Sequence, residues 1–148
     1  MSGEELIEKI SSLDINQIAI ECLKSVEDLM VEKNREQLSE GKLTDDSLIS
    51  PPYSESTKKR KRSKSGLSSV TDVVTTFDTG EHYSKIFANT ISPDIINFGS
   101  TAEVSKKLSD QYETQSGNLY GLNRQSVSEI IEAIKPIFLE KIHKKVNV

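Results

Sequence analysis

From Ile15 the apolar residues fall at three- and four-residue steps: Ile15, Ile18, Ala19, Cys22, Leu23, Val26, Leu29 and Met30. That spacing predicts one amphipathic helix from Ile15 to about Leu38, with Gly41 as its stop. Asp14 with Gln17 marks its start, and Ser2 with Glu5 forms a capping box for a short helix before it, to about Ser11. The same period returns near the C-terminus in Val127, Ile130, Ile131, Ile134, Ile137, Phe138 and Ile142, behind a Ser126/Glu129 capping box. Pro136 lies inside that second helix and predicts a kink there.

Between the helices the pattern changes twice. Residues 41–69, "GKLTDDSLISPPYSESTKKRKRSKSGLSS", are polar and hold no sustained period, so they read as an exposed extended arm with a short strand near Leu48-Ile49. From Val70, "VTDVVTTF" is β-branched and reads as a strand. Ile86–Ser92 and Asp94–Phe98 read as a hairpin around Pro93, with one member at a sheet edge. A short helix follows, capped by Ser100 or Thr101, and "NLYGL" is a short strand or turn. The expectation is a single α+β domain over residues 1–148: a long N-terminal amphipathic helix and a C-terminal helix packed on a small, mainly antiparallel sheet, with residues 41–69 as its arm.

The 148 residues contain 34% hydrophobic and 5% aromatic side chains and no Trp, a thin core that implies that part of the chain is extended or completed by a partner. A net charge of −4 and a pI near 5.3 give no general reason to bind nucleic acid. The single cysteine, Cys22, excludes an internal disulfide and a thiolate zinc cluster, and its place on the apolar stripe makes it a packing residue. No apolar run approaches the ~18 residues of a membrane span. The acidic "MSGEELIEKI" carries no apolar leader region, so no secretion signal is expected.

Candidate chemistry centres on Asp78-Thr79-Gly80, the signature triplet of aspartic peptidases, in which two such loops share one proton between close carboxylates. Three features oppose that reading. Glu81 stands where a small residue is usual, "INFG" follows too soon for a flap hairpin, and the two long helices leave too little chain for an all-β peptidase. In the alternative reading, Asp78 or Thr79 accepts hydrogen bonds from a following turn, Gly80 lets the backbone bend, and Tyr83, Ile86 and Phe87 pack on one side. No catalytic residue, metal ligand or cofactor is assigned. His82 and His143 read as surface or helix-end residues.

Lys58, Lys59, Arg60, Lys61, Arg62 and Lys64 place six cations in seven positions. With Pro52 and Tyr53 they form a candidate subunit-contact arm. DNA phosphates are an alternative target but not the favoured one. A nuclear-import signal, in a nuclear or nucleic-acid-associated adaptor, is a further alternative. Aromatics are not interleaved with the run, which argues against base stacking.

In order along the chain stand Gln37-Leu38, Gly41 with an acidic pair, Pro52-Tyr53-Ser54, Thr57, an apolar residue before Asp78-Thr79-Gly80, Tyr83, and "INFGST". This series, over about Ile15 to Gly121, resembles the small virion-morphogenesis proteins of tailed phages, also described as tail-completion or head–tail connector proteins. The form with Tyr after the triplet is similar to versions in phages and prophages of Bacteroides-type bacteria. The segment from Thr57 to Phe77 is longer and more basic than the family pattern, and Phe77 replaces a commoner leucine. The resemblance implies a non-enzymatic α+β subunit, made in the host bacterial cytoplasm. It implies a homo-oligomeric ring in the virion neck or tail top, between portal-side connector and tail proteins. Contacts in such a ring are heterologous.

Overall fold

A computed structural model describes residues 1–146. Among them are seven α-helices and one two-stranded antiparallel sheet, an α+β fold that is 55% helical and 10% strand. Helix α1 (Gly3–Ser11) opens with the expected capping box: the Glu5 amide donates to Ser2 Oγ at 3.1 Å and the Ser2 amide to Glu5 Oε2 at 2.9 Å. Helix α2 (Ile15–Ser25) is capped by Asp14, which accepts from the Gln17 amide at 3.1 Å.

The long first helix is divided. It breaks at Val26 (φ −114°, ψ 14°), and α3 (Glu27–Ser39) begins there. The Ser25 hydroxyl donates to the Cys22 carbonyl at 2.6 Å, a local bond that competes with the helical ladder. The break also lets the Glu27 carboxylate take the Thr90 amide of the sheet at 2.6 Å. Helix α3 ends in a Schellman motif. The Lys42 amide donates to the Gln37 carbonyl at 3.1 Å and the Gly41 amide to that of Leu38 at 2.9 Å, with Gly41 at φ 73°. A Cβ on Gly41 would lie 2.5 Å from the Val73 Cβ, so packing and backbone both require glycine.

Residues 41–69 are not an irregular arm. Lys42 bridges to Leu48, the Ile49 amide donates to the Gly41 carbonyl at 2.8 Å, and Leu43 and Ile49 are buried. Ser54 then caps α4 (Glu55–Arg62), and a 3-10 turn follows at Gly66–Ser69. The polar composition hid this because a few side chains anchor the segment: buried Leu43 and Ile49, Tyr53 and Leu67 packed against them, and buried Lys61. The stretch 70–77 is not a strand either. Val74 and Thr75 are buried and its other β-branched residues half-buried, yet its backbone is held by side chains rather than by a neighbouring strand.

After α5 (Glu81–Ser84), β1 (Ile86–Ser92) and β2 (Ile95–Ser100) pair from Ile86↔Ser100 to Ser92↔Ile95, with an irregularity between Thr90 and Ser92. Pro93 sits in the turn, outside both strands. Helix α6 (Ser105–Tyr112) starts at Val104 without a side-chain cap, so neither Ser100 nor Thr101 caps it. Helix α7 (Arg124–Val146) is capped by Asn123, whose Oδ1 accepts from the Ser126 amide at 2.9 Å, so Ser126 lies inside the first turn. Pro136 is carried on an exposed side of α7 without dividing it.

Two core clusters form. Leu38, Leu43, Ile49, Val74, Tyr83, Ile86, Tyr112 and Leu119 make one. Val26, Met30 and Ile130 make the other, with Ala88, Ile96 and Phe98 from the inner face of the hairpin packed against them. Cys22 is fully buried and free.

Candidate functional site: a basic helix on the Asp-Thr-Gly turn

The structure brings together the two segments singled out in the sequence. Helix α4 lies against the Asp-Thr-Gly turn. Lys61 is only 2% exposed; its ammonium donates to the Phe77 carbonyl at 2.7 Å and sits 5.0 Å from the centroid of the Tyr53 ring. A buried ammonium needs such compensation, and a charge-assisted bond and a cation–π contact supply it. Arg60 Nη1 lies 3.5 Å from Asp78 Oδ2, and Lys64 donates to Asp78 Oδ1. The Lys64 bond, more than the charge of Arg60, holds the Asp78 carboxyl below the usual carboxylate range. These are half-exposed pairs, each worth at most about 1 kcal/mol.

Asp78 therefore does not cap the next turn. Thr79 Oγ1 accepts from the Glu81 amide at 3.4 Å, while α5 has Gly80 as its N-cap and no side-chain cap. Gly80 takes φ 91°, and a Cβ there would stand 3.3 Å from the Phe77 ring. Tyr83 is buried, and its ring meets Phe77 edge-on with centroids 4.9 Å apart. Ile86 joins the same core, whereas Phe87 turns outward over Gly99 instead of packing with them.

Three aromatic side chains hold the backbone just before the triplet. The Tyr53 hydroxyl accepts from the Thr75 amide at 3.1 Å, and the Tyr83 hydroxyl donates to the Thr75 carbonyl at 2.5 Å. His82 Nδ1 donates to the Thr76 carbonyl at 3.3 Å. Thr76 has φ 57°, an unfavourable region for a β-branched residue, and these bonds hold it there. With its proton on Nδ1, His82 accepts at Nε2 from the Tyr120 hydroxyl at 2.7 Å, which in turn lies 2.9 Å from Ser105 Oγ. His82 is thus a buried junction and not a surface residue, and burial lowers its pKa. His143 is exposed in the last turn of α7.

Chemically this is a clamp. A carboxylate poised to share a proton with a second carboxylate needs a like-charged neighbour; Asp78 faces Lys64 and Arg60 instead. Of the basic run, Lys58 meets Glu55, Lys61 is internal, and Arg60 and Lys64 meet Asp78. Among the described residues, Lys59 and Arg62 have no carboxylate within ion-pair distance, and Pro52 is exposed beside Tyr53. No group of three or more His, Cys, Asp or Glu among the described residues could hold a metal ion, and no described helix is long and apolar enough to cross a membrane.

A second constellation escaped the sequence reading. Asn34, fully buried on α3, donates Nδ2 to the Leu119 carbonyl at 2.9 Å and accepts the Gly121 amide at 3.2 Å. One turn on, Gln37 accepts the Asn123 amide at 3.0 Å, and Arg35 Nε donates to the Tyr83 carbonyl at 2.9 Å. The signal was present: Met30, Asn34, Gln37 and Leu38 share one helical face, so two amides interrupt an apolar stripe. No protein-family model, curated protein or solved structure matches the chain.

Proposed function

We propose that this chain is a structural, non-catalytic subunit of a tailed-phage virion. It assembles as a homo-oligomeric ring at the neck or tail top, between portal-side connector and tail proteins, after synthesis in the bacterial cytoplasm. The observation that carries the reading is apolar surface. Ile7 and Ile10 on α1, Phe87, Ile91 and Ile95 on the outer face of the hairpin, and Val127, Ile131 and Leu139 on α7 are all exposed. Apolar side chains clustered on separate elements are what a subunit with several neighbours presents. The clamp at Asp78 supports a structural role, because it engages Arg60, Lys61 and Lys64, half of the basic run, and Lys58 pairs with Glu55 within the chain. Lys59 and Arg62 remain for acidic neighbours, a small charge against the overall −4 and too little to favour DNA.

The test is at the level of the particle. Mass spectrometry and cryo-electron microscopy of virions from the phage or prophage carrying the gene are expected to find the chain in a ring below the portal. Deletion of the gene should leave heads and tails unjoined. Absence from purified particles, with infection unaffected by deletion, would sink the proposal.

A further inference from the structure

Helix α1 is amphipathic but buries none of its residues: Ile7 is 68% exposed and Ile10 48%. They stand one turn apart, on the face also carrying half-buried Leu6, and Glu4, Glu5 and Glu8 flank them. A matching feature lies on α7. Ile131, Ile134, Phe138 and Leu139, with Lys135 at the rim, form an open apolar groove of about 310 Å³. Ile131 and Leu139 are 49% and 57% exposed, so the chain's own α1, although it touches α7, does not fill this groove.

We infer that α1 of one copy docks into the α7 groove of the next. Charge selects this occupant. α1 carries Glu4, Glu5 and Glu8 against Lys9, whereas α7 from Ile131 onward carries Lys135, Lys141, Lys144 and Lys145 against Glu132 and Glu140, with Lys141 also 3.6 Å from Glu21. The pairs Lys135–Glu132 and Lys144–Glu140 are exposed intrahelical contacts that cost little to exchange. An amphipathic helix with anchors at i and i+3 entering an apolar groove is a common recognition mode. Donor and acceptor surfaces are different on each copy, so the contact is heterologous and repeats from subunit to subunit, as a ring requires. This rests on the reading of the chain as a ring subunit, and adds which surfaces meet.

The experiment uses the full chain and two double variants at exposed positions, Ile7→Gln with Ile10→Gln, and Ile131→Gln with Leu139→Gln. Circular dichroism checks that each stays folded. By analytical ultracentrifugation the wild type is expected to self-associate with rising concentration, and each variant alone to be weakened about tenfold or more. A mixture of the two variants should recover a one-to-one dimer, because one supplies an intact groove and the other an intact α1. A wild type that stays monomeric at several hundred micromolar would overturn the inference. So would an α1 variant that associates as well as wild type, which would mean that α7 pairs with α7 or that another surface is used. If this inference fails while the chain is still found in the neck ring, only the pairing of surfaces is lost; if the variants behave as expected and the chain is absent from virions, only the virion assignment falls.

Discussion

Replacing Asn34 by Ala removes the side chain that ties α3 to the segment before α7. Two hydrogen bonds are lost, to the Leu119 carbonyl and from the Gly121 amide, and both backbone groups are left buried. Each unsatisfied group costs about 1–3 kcal/mol. Part of that is recovered if the loop relaxes toward water, so a total of about 3–4 kcal/mol is expected, roughly 10 °C in Tm for a chain of this size. Asn34→Asp sharpens the test. It can still accept from Gly121, but it sets a carboxyl oxygen against the Leu119 carbonyl unless it is protonated. Burial and that carbonyl raise its folded pKa above the unfolded value of about 3.9. Its deficit relative to wild type should therefore be smallest at acid pH and grow as pH rises through the folded pKa. Urea denaturation followed by far-UV circular dichroism at several pH values measures both variants. A loss under about 1 kcal/mol for Asn34→Ala, with an unchanged urea slope, would refute the assignment of Asn34 as the tie.

Asp78→Asn should lower stability by no more than about 1 kcal/mol at neutral pH, since the pair is half-exposed. Because the folded pKa of Asp78 is depressed, its contribution is present above about pH 4 and is lost as pH falls through the folded value; a difference from wild type that persists at still lower pH would contradict an ion-pair origin. His82 is held neutral by burial, so stability should decline as pH drops from about 6.5 toward its lowered folded pKa, and this slope should vanish in His82→Gln, as read from urea midpoints across that range. Gly41→Ala should cost more than about 1 kcal/mol in thermal melts, from positive φ and the contact with Val73. Neutralising Lys59 and Arg62 should leave the melting curve unchanged while impairing head–tail joining in complementation assays, whereas Lys61→Ala should unsettle the fold itself.

Legibility along the chain followed how local the deciding interaction was. The caps at Ser2 and Asp14, the glycine stop at Gly41 and the hairpin around Pro93 are written within a few residues of where they act. The α+β class follows from those elements. The break at Val26 was not legible, because the apolar period passes through it and the bond that accompanies it, from the Thr90 amide of β1 to the Glu27 carboxylate, joins residues far apart in the chain. Residues 41–69 looked extended because their composition is polar; their order comes from Leu43 and Ile49 meeting partners far along the chain, and from Lys61 finding Tyr53 and Phe77. The strand expected at 70–77 shows the reverse error. β-branched residues suit any half-buried extended backbone, and here Tyr53 and Tyr83 take the place of a pairing strand. The basic run and the Asp-Thr-Gly turn are each conspicuous in the sequence, but a spacing of 14 residues from Lys64 to Asp78 gives no local cue that they meet. His82 was misplaced for the same reason: its partner Tyr120 is 38 residues away.

The chain's one cysteine gives the molecule a built-in clock. Cys22 sits on α2 with no exposed surface, beside the Val26 break, and burial raises its pKa. In the closed state it is shielded from a thiol reagent and its nucleophilic thiolate form is suppressed. Labelling must then wait for α2 to separate from its neighbours, so the rate of modification under native conditions reports how often that helix opens. With no second thiol in the sequence to blur the signal, a single alkylation trace follows one event in one place. The same trace taken on assembled and free subunits would time how far a neighbour steadies the helical layer it rests on.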